Sequence, residues 1–127
     1  MLNNTGIKKT TYGGPVQILF NVQNQMSVDI RVDDAYSVTR DGRKIVPAGT
    51  PLSGDLTART TAFVKAVDNT NPATGVLLHD VDVTEGDANG TLLIWGFVDL
   101  NKVDSATAAL ITATRKTELA GKVTFLK

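Results

Sequence analysis

The sequence contains no cysteine. A disulfide scaffold and a thiolate metal site are therefore excluded, while the redox compartment stays open. Charge of one sign is not in excess either, since 13 Lys and Arg stand against 13 Asp and Glu. A nucleic-acid-binding domain gathers phosphates with a basic surplus, so no nucleic-acid partner is expected. Long hydrophobic runs are missing. The longest, Gly75–Leu78 and Leu92–Leu100, fall well short of the roughly 20 residues that a membrane helix needs, so no membrane partner is expected. Lys8 and Lys9 are followed by no apolar stretch and no small-residue cleavage site, which predicts a protein made and kept in a cytoplasm. Aromatic residues are scarce, and Trp95 and His79 are the sole members of their kinds.

What is present suits a small β protein. The 127 residues, 42% of them hydrophobic, suffice for a core without staples. Residues 1 to 14 are polar and rich in glycine and asparagine, which predicts a flexible N-terminal arm ahead of one β-rich domain over 15–127. Val16–Val22 reads as a first strand, and Ser27–Val32 alternates apolar and polar residues with the period of a strand. Tyr36–Thr39 and Lys44–Val46 flank Asp41-Gly42, a pair suited to the positive φ values of a tight hairpin. Pro47-Ala48-Gly49-Thr50-Pro51 predicts a fixed loop on the surface or at a sheet edge, because its prolines block ladder hydrogen bonds. Thr57–Ala66 fits a strand or a short helix equally. Val76–Val83 and Thr91–Leu100 predict a hairpin around a turn-rich loop over residues 84–90. Asp104-Ser105 should cap a helix from Ala106 to about Arg115, and Lys122–Leu126 should close the chain as a strand. The expected fold is mainly β: a small sandwich or barrel-like domain with one short C-terminal helix and an extended N-terminal arm.

Catalytic and metal chemistry find little support. His79 adjoins Asp80, but Ser27, Ser37, Ser53 and Ser105 lie in no nucleophile elbow, so His79 reads as a satisfied histidine at a sheet edge or interface. Asp80, Asp82, Glu85 and Asp87 resemble the alternating oxygens of a calcium loop. However, Glu85 stands where the sharp turn needs glycine, and no bidentate glutamate closes the loop. These carboxylates read as a solvated face. No cofactor and no catalytic residue is expected.

The stretch Thr91–Leu100 needs a different explanation. In a regular strand, Leu92, Ile94, Gly96, Val98 and Leu100 line one face, and Leu93, Trp95 and Phe97 the other. A strand apolar on both faces is covered on both. One cover is the domain's own core; the other is either a partner subunit anchored on Trp95 or a loop or helix of the same chain.

Four pieces resemble the decoration and head-fibre proteins of tailed phages. They are Val46-Pro47-Ala48-Gly49-Thr50-Pro51-Leu52, Gly75-Val76-Leu77-Leu78-His79-Asp80-Val81-Asp82-Val83, Gly90–Lys102 with its Gly96-Phe97-Val98-Asp99-Leu100-Asn101-Lys102 end, and Gly121-Lys122-Val123-Thr124-Phe125. The resemblance spans roughly residues 40 to 127. It implies a non-enzymatic protein added to the outer surface of an assembled head, partnered by the major capsid protein of an HK97-type shell and by itself as a homotrimer. The family has no catalytic residues and no shared contact motif to carry over. These residues carry no repetitive or coiled-coil stretch of the kind a true fibre needs, so a base or cement domain alone is expected. The resulting expectations are a subunit interface at Leu93, Trp95, Phe97 and His79, and an arm touching the capsid through Tyr12, Val16, Ile18 and Phe20. A carbohydrate- or receptor-binding β-module of the virion and a tail or baseplate component are the rival expectations.

Overall fold

The computed structural model describes residues 18–19, 25–66 and 71–127. The β-branched and apolar runs form nine strands among these residues: β1 (Met26–Val32), β2 (Val38–Arg40), β3 (Arg43–Val46), β4 (Pro51–Ser53), β5 (Val64–Lys65), β6 (Gly75–Leu77), β7 (Val81–Asp82), β8 (Ala88–Asp99) and β9 (Val123–Leu126). A six-stranded sheet runs β9-β8-β6-β4-β5, with β1 also paired to β8, and a three-stranded sheet runs β2-β3-β7. Pairing is antiparallel except for β9, which lies parallel to β8. The mainly β expectation holds. The proposed strand Val16–Val22 falls mostly outside the described residues; of it, Leu19 bridges Val98.

Two apolar cores lie on opposite faces of the large sheet. Ile30, Leu52, Leu77 and Leu92 meet Val46 and Val81 of the small sheet, with Phe63 and Val83 completing that cluster. On the other face Val76, Leu93 and Val98 meet Ile18, Val103, Leu119 and Val123. The second cover of β8 is thus the chain's own C-terminal segment.

The hairpin turn is as the sequence predicts: Asp41 and Gly42 have φ of 51° and 77°, and Arg40 pairs with Arg43. Three expectations need correction. First, Pro47–Pro51 is buried throughout. It carries the chain from β3 in one sheet to β4 in the other, and burial is tolerated because its polar groups are matched. Gly49 N–H donates to Leu77 O (2.7 Å), Leu77 N–H to Thr50 O (2.9 Å), the Thr50 hydroxyl to Pro47 O (2.7 Å), and Ala48 N–H to Asp80 Oδ1 (2.7 Å). Second, Val76–Val83 is not one strand. β6 ends at Leu77, residues 78–80 cross between sheets, and β7 pairs with β3. The expected hairpin with β8 is therefore only the β6–β8 pairing, and Asn89-Gly90 lies inside β8, where Gly90 leaves room for Val81 and Val32. Third, the single helix is two, α1 (Ser105–Ala108) and α2 (Ala113–Glu118), after a 3₁₀ turn at Leu100–Lys102. Thr112 caps α2 by accepting from Arg115 N–H at 3.4 Å, which restarts the helix after Ile111 is buried. No helix among the described residues is long and apolar enough to cross a membrane.

Gly49 is under two constraints at once. Its φ of 95° suits glycine, and a Cβ there would sit 2.7 Å from a methyl of Val103. Gly49→Ala should therefore cost about 2–4 kcal/mol, the sum of a left-handed alanine and overpacking against a stiff β-branched side chain. Urea unfolding checks this, and a midpoint unchanged from wild type would contradict the role given to the turn.

Candidate functional site

The alternation expected along β8 does not run through. Met26 pairs with Trp95 but Ser27 pairs with Leu93, so Ile94 is an extra residue opposite β1. A bulge of this kind reverses the faces beyond it. Leu93 before it and Val98 after it consequently share one core, although their numbers have opposite parity. Trp95 and Phe97 are turned to the other face, and Trp95 projects beyond what the small sheet covers.

The result is an exposed apolar pair on a rigid ladder. Trp95 is 46% exposed and its cross-strand partner Met26 is 59% exposed. The Trp95 and Phe97 rings lie 6.4 Å apart at 45°, within the range of a favourable aromatic pair. Phe97 is half-buried and limits the freedom of the indole. Against protein-family models and curated protein sequences, the chain finds no match.

The other expected contact residues separate. Leu93 is fully buried in the chain's own core and cannot touch a partner. Ile18 is fully buried in the same core, and its carbonyl accepts from Asp99 N–H at 2.9 Å, so it is not an arm contact. Tyr12, Val16 and Phe20 lie outside the described residues. His79 sits in the 78–80 crossover, half-buried, with Nδ1 enclosed and unbonded. Asp80 does not orient it, as a catalytic triad would require, because that carboxylate serves Ala48 N–H and Arg40 Nη1 (3.3 Å). Sequence reasoning missed Met26, which lies one residue outside the alternating run; only the register across to Trp95 gives it a role.

The carboxylates considered for calcium are also divided among separate tasks. Asp82 accepts from Arg43 Nε and from the Thr84 hydroxyl (2.6 Å) and amide (2.9 Å). Asp87 accepts from Asp34 N–H at 3.1 Å. Asp33, Asp34 and Asp87 form a close trio instead, each offering one oxygen within 4.8 Å of the others, while Asp33 also accepts from Ala35 N–H. The Arg43 hydrogen bond, followed by those from Thr84, holds the Asp82 carboxyl well below the usual carboxylate range, and the same pairing raises Arg43.

A depressed folded-state pKa contributes stability that is fully present above the ordinary carboxylate value and is lost as pH falls through the folded value. The melting-temperature gap between wild type and Asp82→Asn should therefore be constant above about pH 5 and shrink below about pH 4. Scanning calorimetry across that range checks it; a gap that widens in acid would contradict the assignment.

Proposed function

We propose that this chain is a non-enzymatic structural protein of a tailed phage, binding the outer surface of the capsid as a decoration protein that stabilises the head. The observation that carries this reading is the exposed Met26–Trp95 pair beside Phe97, on a sheet whose other large apolar residues are mostly covered by the chain's own layers. A tryptophan held half-exposed on a pinned strand is the kind of anchor that protein interfaces use.

The pieces that carry the family resemblance also support it. Pro47–Leu52, Gly75–Val83, Gly90–Lys102 and Gly121–Phe125 join into one hydrogen-bonded framework through the Gly49–Leu77 and Ala48–Asp80 bonds and the β6–β8 and β8–β9 pairings. Under this reading their order in sequence reflects a scaffold common to the family, with surface residues free to differ. The partners under this reading are the major capsid protein of an HK97-type shell and two further copies of the chain in a homotrimer. Copies fixed to adjacent capsid subunits hold the shell by many weak contacts acting together.

Trp95→Ala tests the reading without unfolding the protein, since the side chain is already half in water. At low concentration its melting temperature should stay within a few degrees of wild type. Its sedimentation should shift toward monomer, and its occupancy of undecorated heads should fall about tenfold or more, as loss of an interface anchor does. Equal sedimentation and equal occupancy for both proteins would contradict the proposal.

A further inference from the structure

A groove of about 820 Å³ is lined by Asp29, Arg31, Leu56, Arg59, Asn89 and Thr91. Its floor is the outer side of the β1–β8 ladder, where Asp29 pairs with Thr91 and Arg31 with Asn89. Its wall is the segment over residues 56–60, which runs toward β1 and joins its edge at a single parallel bridge through Phe63. Phe63 N–H donates to Arg31 O (2.8 Å), and Asp33 N–H donates to Phe63 O (3.0 Å). Odd-numbered residues of β1 therefore turn their backbone groups away from β8. Asp29 shares that parity, and its carbonyl is met only by the Arg59 side chain, Nη1 at 2.9 Å. Among the described residues, no strand pairs with this edge of β1 ahead of Val32, and only the Arg59 side chain stands over it.

The arginines indicate what kind of strand. The chain has five, and Arg40, Arg43 and Arg115 each pair with a carboxylate, those of Asp80, Asp82 and Glu118. Among the described residues, Arg31 and Arg59 pair with none. Each places one N–H on a main-chain carbonyl, Arg31 on Asp87 O (3.1 Å) and Arg59 on Asp29 O. Both line this groove, which carries two guanidinium groups against the single Asp29 carboxylate. A guanidinium has five N–H donors in a fork matched to a carboxylate, so most of this capacity faces solvent. Leu56, 39% exposed at the rim, adds an apolar contact.

We propose that this groove docks an extended acidic peptide segment of a partner protein, laid along the open edge of β1 with its carboxylates against Arg31 and Arg59. Backbone pairing supplies affinity, and the two arginines select for acid over neutral side chains. The inference does not rest on the capsid assignment, because it concerns a peptide in solution and a different face from Trp95.

The test uses the full chain, isotopically labelled, titrated with a blocked peptide of alternating glutamate and valine, and in parallel with its glutamine counterpart. The expected result is saturable binding of the acidic peptide, with amide shifts centred on Asp29–Arg31 and residues 56–60. Binding should be at least tenfold weaker for the glutamine peptide and for the Arg31→Gln/Arg59→Gln protein. If the double variant melts early, Arg59→Gln alone serves, as Arg59 is exposed on a loop. Four results would each overturn the proposal: absence of saturable binding, equal binding of both peptides, shifts centred on Trp95, or tighter binding of a sulfated polysaccharide than of the acidic peptide. Head occupancy by the same variant, measured separately, keeps this inference apart from the capsid proposal.

Discussion

A single hydrogen bond, from the Ala48 amide to the Asp80 carboxylate at 2.7 Å, sits where the chain twice changes sheets. One crossing is the buried turn at residues 47–50, leading from β3 to β4. The other is residues 78–80, leading from β6 to β7. The two crossings run side by side, and the turn could not be enclosed alone, since an unmatched buried amide costs about 1–3 kcal/mol. Asp80 matches the first crossing while its own charge is balanced by Arg40 at the surface. Leu77 adds two more bonds, its carbonyl accepting from Gly49 N–H and its N–H donating to Thr50 O. The positions of both sheets, and so of both cores, follow from this corner.

With the corner fixed, the large sheet is enclosed from two sides. The small sheet covers one face over Leu77 and Leu92, and the C-terminal segment covers the other over Val76 and Leu93. Two regions of the β1–β8 ladder lie beyond these covers. At one end the bulge turns Trp95 outward opposite Met26; at the other, the polar pairs of Asp29 and Arg31 floor the groove. A ladder held by two packed layers presents both regions with little conformational freedom to lose on binding, which is where association otherwise incurs much of its cost.

Features that depend on neighbouring residues were legible in the sequence. Asp41-Gly42 specified the hairpin, the alternation from Ser27 to Val32 specified β1, and Gly121 marked the last strand. Features that depend on distant partners were not. A run such as Val76–Val83 has uniform strand character, and only Asp80 meeting Ala48, 32 positions away, explains its break. Pro47–Pro51 has the composition of a surface loop, because the bonds that permit its burial come from elsewhere in the chain. The bulge at Ile94 changes which residues of β8 share a face, and a count by twos cannot register it. Of the expected contact residues, Trp95 is exposed and Phe97 half-buried, Leu93 and Ile18 are core, and Met26 is brought in only by its register with Trp95.

On the proposed reading, this protein stands on the outside of a phage head. Electron imaging of purified virions carrying a labelled copy of the chain tests it most directly. Label distributed over the outer capsid surface at three-fold and quasi-three-fold positions is the expected result. Label confined to the tail or baseplate, or virions with none, would contradict it.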